Sequence, residues 1–423
     1  MTVLINGGGI AGLALALTCH QIGVPFKVFE ATPEIKPMGV GINVQPTAVR
    51  ELFDLGLEDK LSAIGVRTRE YGLYSKHGLH IWTEARGTDA GYDWPQFSVH
   101  RGKLLIMLYE TLLERAGPDC IETGWRATGF SNVEGGAVLH LQGQDGETRE
   151  EAGSVIIAAD GIHSAIRAQM APDEGPAKWG GNILWRGTAL GKPYKSGASM
   201  VLIGYTGLRF VSYPISEADP ETGLATINWI ANLKFADGAD FSKEDWNRQA
   251  NLDDFLPQFE HFNLDWIDIP GLIEASDEVL EYPMVDRDPL PRWTDGRVTL
   301  MGDAAHPAYP VGSNGAGSAI LDARRLGAAF LSHGLTQVAL EAYEADMRPV
   351  TNAVTLMNRV AGPDTILDVV EARSGGKFEH INDVIPQAEL AAHADKYKST
   401  AGTSVADTNA RPRTIPEGAR FAG

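Results

Sequence analysis

Gly7, Gly9 and Gly12 in INGGGIAG carry the spacing GxGxxG, directly after the apolar run TVLIN and at the start of an alanine- and leucine-rich one. In that pattern Gly7 permits a tight turn, Gly9 lets the backbone approach a pyrophosphate, and Gly12 lets a helix lie close on its strand. Ile10 and Ala11 open the helix, whose unpaired N–H groups and positive dipole end favour an anion. Glu30 closes the next strand-like run, PFKVFE, 18 residues beyond Gly12, where a carboxylate can accept from a ribose. A bare strand-to-helix turn explains the glycines but not Glu30. The acid suits the free 2′-hydroxyl of the adenosine in FAD as well as in NAD.

A second such stretch, GDAAHPAYPVGSNGAGS, runs from Gly302 to Ser318. RVTLMGD predicts a strand ending at Asp303, and GSNGAGSAILDARRLG predicts a helix preceded by glycines. The N–H groups of Gly315, Ala316 and Gly317 have no partner within such a helix and face whatever lies before it. Negative charge there gains typically about 0.3–1 kcal/mol, and roughly 2 when partly buried. Pro310 fixes the loop backbone through its locked φ. His306 invites the role of a base, but a hydrogen bond within the loop is the favoured reading.

These loops need elements to hold them. TVLIN, the helical IAGLALALTCHQIG and PFKVFE form a βαβ opening, and the α/β pattern resumes at RVTLMGD. Between them NILWRGTAL, SMVLIGY, LRFVSYPI and LATINWIANL are short strand candidates, which predict an inserted antiparallel sheet. Trp185, Arg186, Tyr213, Asn228 and Trp229 on these strands, with Tyr309 from the glycine loop, are the candidate substrate face. For any single aromatic among them, packing within the sheet explains it equally well.

The expected fold is α/β: a Rossmann-like FAD-binding fold with an inserted, mainly antiparallel β-sheet substrate domain and C-terminal helices. Its nucleotide-binding unit is discontinuous, over 1–70, 101–178 and 281–350, with the substrate sheet over 71–100 and 179–280. Residues 351–423 are expected to form a C-terminal helix and a polar, extended or mobile tail.

Composition narrows the function. A net charge of -19 over 423 residues argues against a nucleic-acid footprint and against docking on anionic lipid. Cys19 and Cys120 are too few for a disulfide framework and lack metal-ligand spacing, so no metal site is expected. The first twenty residues lack the positive n-region of a signal, and no run approaches about 18 apolar residues, so a cytoplasmic protein outside the membrane is expected. HExxH, P-loop, GxSxG and EF-hand patterns are absent. DFSKED reads as solvated surface.

Two further features complete a known order. IIAADGIHSAIR carries Asp160, Gly161, Ser164 and Arg167 as DGxxSxxR, and GDAAH follows with Gly302, Asp303 and His306. With the first loop they resemble the group A FAD-dependent aromatic hydroxylases, the single-component monooxygenases that include 4-hydroxybenzoate and salicylate hydroxylases. MGVGINVQPTAV, FSVHRGKLL, ILWRG and YPMVDRDPLPRW resemble its 5-methylphenazine-1-carboxylate branch, and the likeness fades after about Arg359.

The resemblance implies non-covalent FAD, held at its pyrophosphate by Gly7, Gly9 and Gly12 and at its ribose by Glu30. Arg101 would lie along the cofactor, Asp303 near the ribityl chain or pyrophosphate, and Gly315 and Ala316 at the flavin's pyrimidine edge. Pro310 would run beside flavin and substrate, and the Asp160–Arg167 segment is associated in the family with FAD and nicotinamide. It also implies reduction by NADH or NADPH, bound transiently, and hydroxylation by O2 of a phenolic, carboxylated or N-heteroaromatic ring through a flavin C4a-hydroperoxide. A homodimer is compatible with it. A halogenase or reductase on the same fold, or a flavin-binding protein without turnover, are the alternatives. The WxWxIP signature of tryptophan-type halogenases is absent. Gly317 stands where many relatives carry an Asn, which removes one side-chain contact expected at the flavin.

Overall fold

The computed structural model describes residues 1–235, 248–360, 365–400 and 404–422. DFSKED, at 240–245, lies outside them.

Val3–Asn6 is buried along its whole length and apolar up to Asn6, as a strand covered on both faces must be. It sits inside a six-stranded sheet ordered Thr294–Asp295, Val298–Leu300, Val155–Ala158, Val3–Asn6, Phe26–Glu30, Ile121–Thr123. All neighbours are parallel except the first pair. Helices Ile10–Ile22 and Gly315–His333 pack together over it, and a three-stranded meander, Trp125–Val133, Gly136–Gly143 and Thr148–Gly153, shares its core through Phe130, Leu139 and Leu141. This is the expected α/β unit, assembled from distant segments.

The inserted domain is an eight-stranded sheet ordered Arg248–Gln249, Val279–Asp286, Lys178–Gly191, Ala225–Lys234, Leu208–Pro214, Ser199–Tyr205, Glu70–Tyr74, His80–Ala85. Its pairs are antiparallel apart from Ser199–Tyr205 with Glu70–Tyr74. One face is packed by Phe255, Phe259, Phe262, Ile269 and Ile273 from the segment that follows. The other face looks toward the nucleotide-binding unit. Gln96–His100, expected in this sheet, pairs instead with Gly41–Val44 and Gly65–Thr68, and its Phe97 and Val99 belong to the first core.

The C-terminal part departs from the expected free tail. Helix Thr365–Ser374 lays Ile366, Leu367 and Val370 on Tyr71, Leu73 and Leu202 of the large sheet. Residues 404–422 return to the nucleotide-binding unit: Ile415 enters its core, the Thr414 hydroxyl donates to Glu51 Oε1 at 2.7 Å, and the Phe421 N–H donates to the Ile22 carbonyl at 2.7 Å. A few specific anchors, rather than an apolar periodicity, fix this strap.

Candidate active site

At the first loop, glycine is enforced by space. A Cβ on Gly12 would lie 1.9 Å from the Gly7 carbonyl oxygen, and one on Gly7, whose φ is +114°, 2.4 Å from that of Ala159. In front of Gly9 there is nothing within 4 Å, which leaves a cradle at the start of helix Ile10–Ile22. Glu30 Oε2 accepts from the Gly8 N–H at 2.6 Å, and Oε1 from the Thr32 N–H and hydroxyl at 2.8 and 2.9 Å. Oε2 keeps a second lone pair for a ribose, while Thr32 takes both of those on Oε1.

The second loop meets the first. Gly302, at φ +59°, would place a Cβ 3.0 Å from that of Ala11, and the Met301 N–H donates to Ala158 at 2.9 Å. Asp303 therefore leaves the edge of the parallel sheet on which Gly7 and Gly9 also turn. Behind it Arg167, 1% exposed, donates to the carbonyls of Ala304 and Ala305 at 2.9 and 2.8 Å and of Asp288 at 2.9 Å, with Glu174 closing its charge. In this fold the DGxxSxxR arginine is a brace for the GDAAH turn. Burial pushes the Asp160 carboxyl up to about 6, against hydrogen bonds from Ser164 and its own backbone.

His306 also faces inward. Its Nε2 lies 2.7 Å from Asp322 Oδ2, which accepts from the Gly302 N–H at 2.9 Å. Burial opposes the imidazolium, but the Asp322 carboxylate outweighs it and raises the pKa of His306 above its usual value. The histidine thus locks the loop to helix Gly315–His333, as the sequence suggested, and does not reach the cavity.

A cavity of about 770 Å³ opens between this loop and the large sheet. Asp303, Pro310, Gly315 and Ala316 line one side, and Arg186, Tyr213 and Tyr309 join the walls. Strand alternation carries Leu184, Arg186, Met200, Leu202, Val211, Tyr213 and Ile230 to the cavity face. The same alternation turns Trp185 and Trp229 to the opposite face. Trp185 stacks on Phe255 at 4.6 Å and donates to Glu281 Oε2 at 3.1 Å; Trp229 lies over Phe210 at 6.1 Å and donates to the Ser276 hydroxyl at 2.8 Å. Both are core residues, which corrects their assignment to a substrate face. Asn228 is on the cavity side but wholly covered, its Oδ1 accepting from the Gly41 N–H at 2.6 Å.

Gly317 is buried, and a Cβ there would meet only that of Ala48, at 3.6 Å. Its side faces helix Pro46–Asp54, so the position bears on packing between helices. Arg101 is exposed at the start of helix Arg101–Ala116, beside Gly39, with its backbone N–H donating to Val40 at 2.9 Å. Residues not singled out from sequence complete the site. Gln45 Nε2 reaches the Gly312 carbonyl at 3.5 Å, and Asn358 Nδ2 donates to the carbonyls of Tyr309 and Val311 at 3.1 and 3.2 Å. Asp368 accepts from the Thr206 N–H at 2.6 Å and closes the cavity's other flank. Gln45 lies in the quoted MGVGINVQPTAV; the other two carried no pattern that chemistry would single out.

The family model described as FAD binding domain matches residues 1–357. The chain belongs to this family of FAD-dependent aromatic hydroxylases. It is 41% identical over 362 residues to the phenazine 1,6-dicarboxylic acid hydroxylase of Lysobacter antibioticus, covering 84% of this chain and 89% of that one. To the salicylate hydroxylase of Pseudomonas putida it is 31% identical, covering 82% and 81%. Among solved structures it resembles Klebsiella pneumoniae HpxO complexed with FAD and uric acid, with TM-score 0.72, 22% identity and coverage of 96% and 97%. A salicylate hydroxylase substrate complex gives TM-score 0.72, 20% identity and 98% coverage of each chain. Among the described residues no helix is long and apolar enough to cross a membrane, and no cluster of His, Cys, Asp or Glu could hold a metal.

The residues present fit FAD. The cradle before Gly9 and the Glu30 carboxylate suit its adenosine pyrophosphate half, and the start of helix Gly315–His333 faces the cavity with free N–H groups for the flavin's electron-rich edge.

Proposed function

We propose that the protein is an FAD- and NAD(P)H-dependent monooxygenase that hydroxylates a flat aromatic acid, a fused N-heteroaromatic carboxylate or phenolate. The observation that carries this is Arg186. Its guanidinium stands on the cavity wall among Leu184, Val211, Tyr213 and Ile230, donates from Nη2 to the Gly41 carbonyl at 2.9 Å, and has no acidic partner among the described residues. Its Nε is sealed from solvent and unpartnered. A cation so placed asks for an anion from the ligand. The relatives named above for phenazine and salicylate chemistry act on aromatic acids, which supports the same reading.

Leu184, Ile230, Val211 and Leu202 supply a flat surface that binds the rings by area, and Arg186 with Tyr213 orients the anionic edge. Burial pushes the Tyr213 hydroxyl up to about 12, with the Arg186 guanidinium acting against it, so Tyr213 stays a neutral donor. The Tyr309 loop and helix Thr365–Ser374 flank the cavity and narrow the access of water to it. FAD, when bound, supplies electron transfer from NAD(P)H and the activation of O2.

The test is to purify the yellow holoenzyme and follow NADH and NADPH oxidation, product and H2O2 with matched aromatic acids and their neutral parents. Acids are expected to stimulate turnover with product formed, and R186Q to raise their KM roughly tenfold or more, the scale of a lost charged hydrogen bond. Absence of flavin, or equal use of neutral parents, would overturn the reading.

A further inference from the structure

Two consecutive residues at the end of one helix hold the two walls of the cavity. Helix Gln337–Val360 packs on helix Gly315–His333 and ends at the cavity, which Asn358 and Arg359 border. Asn358 is 6% exposed, and its Nδ2 donates to the Tyr309 carbonyl at 3.1 Å and to that of Val311 at 3.2 Å. The Val311 N–H donates to the same Tyr309 carbonyl at 2.7 Å. Pro310 therefore stands at the apex of a three-residue turn whose flanking carbonyls are gripped by one side-chain amide.

The next residue turns to the other wall. Arg359 meets Asp286 with Nε and Nη2 at 2.7 and 2.9 Å, and Asp288 with Nη1 at 2.8 Å. Asp286 is wholly buried and closes strand Val279–Asp286, which pairs with Lys178–Gly191, the strand that carries Leu184 and Arg186. Two parallel bonds from a guanidinium to one carboxylate fix orientation as well as distance. The Asp288 carbonyl accepts in turn from Arg167, the brace of the GDAAH turn, at 2.9 Å. The two aspartates of YPMVDRDPLPRW are thus the far half of a joint between loop and sheet.

We propose that Asn358 and Arg359 are positioning residues that fix the gap between the Pro310 loop and the sheet that receives the ring, and thereby the share of NAD(P)H oxidation that ends in product. This rests on the reading of the cavity as a site for an aromatic acid beside FAD. The donors of both side chains are committed to the protein, so they act through the groups they hold. Reacting atoms must stand about 3–3.5 Å apart, and a displacement of about 1 Å can cost roughly a hundredfold in rate. Coupled turnover consumes one NAD(P)H, one proton and one O2, and sends one oxygen atom to the ring and the other to water. With the ring out of reach, the same NAD(P)H, proton and O2 leave as NAD(P)+ and H2O2.

Wild type, N358L, R359K and V354A are compared as holoenzymes. Val354 is buried on the same helix but does not border the cavity, so its truncation controls for stability alone. Flavin content and melting temperature are measured for each, and phenazine-1-carboxylate binding is read from the perturbed flavin absorbance. NAD(P)H use, product and H2O2 are then followed per bound flavin with the aromatic acid that the wild type hydroxylates best. N358L is expected to raise H2O2 per NAD(P)H about threefold or more, and R359K, which keeps the charge but not the fork, to raise it by less. Phenazine-1-carboxylate affinity should stay within about threefold in both, because neither residue holds the acid. V354A should lower the melting temperature and leave the H2O2 share as in the wild type. Where N358L fails to retain flavin, N358S, which keeps a donor, decides by the same criterion. An H2O2 share per bound flavin that stays at the wild-type level in the Asn358 and Arg359 variants, or that rises as much in V354A, overturns the role. Failure of every aromatic acid to yield product in the wild type, with flavin in place, instead removes the aromatic-acid reading, and this role with it.

Discussion

One substitution, Gly to Ala, is expected to have opposite effects at the starts of helices Ile10–Ile22 and Gly315–His333. At Gly12 the new methyl would sit 1.9 Å from the Gly7 carbonyl oxygen, and that atom belongs to the turn that forms the cradle. Backbone cannot step aside cheaply, so overpacking of at least about 1–3 kcal/mol is expected, with the loop displaced from the anion. At Gly317 the methyl would meet only the Ala48 Cβ, at 3.6 Å, an ordinary contact. There the helix gains the backbone rigidity that glycine lacks, worth about 0.5–1 kcal/mol. Both variants are purified, their flavin content is measured after gel filtration, and urea unfolding is followed by fluorescence. G12A should lose FAD and unfold earlier; G317A should keep FAD and unfold at the same or slightly higher urea. The reasoning is refuted if G12A retains full flavin, or if G317A loses it.

Two further outcomes follow from the loop's supports. H306N leaves Asp322 buried without its cation, which is expected to cost about 3–5 kcal/mol. Because His306 is raised in the folded state, its contribution is complete below the ordinary histidine value and fades as pH rises through the raised one. The stability gap between wild type and H306N in urea should therefore narrow on the alkaline side; a gap that widens there would refute the ion pair. G180A would bring a methyl within 2.8 Å of the Tyr309 ring and hydroxyl. The ring must move, so KM should rise and more H2O2 form per NAD(P)H, while in a Y309L background the same change should have little effect; equal effects in both backgrounds would show that the contact is not what matters.

The tight backbone positions were legible in the sequence: Gly7 and Gly12 announce themselves because a Cβ there would meet a backbone oxygen at 2.4 and 1.9 Å, and Asp303 stands out through its place in GDAAH. Trp185 and Trp229 were misread for a physical reason. Their strands are covered on both faces, by the cavity walls on one and by Phe255 and Phe259 on the other, so Leu184 and Trp185 are equally apolar and the sequence does not say which looks inward. Asp368, Asn358 and Thr414 were invisible for another. Each acts through hydrogen bonds to one segment far away in the chain, and isolated contacts leave no periodicity.

The way the central sheet is threaded also orders events in time. Val3–Asn6 and Val298–Leu300 flank Val155–Ala158 in one parallel sheet, and Ile415 seals the same core. A ribosome delivers the first glycine loop long before the strand that supports Asp303 exists. Pairings of such long sequence separation close late and slowly. The emerging chain must therefore carry a half-built cleft through most of its synthesis, and FAD can meet both of its loops only once the chain has passed Ser318.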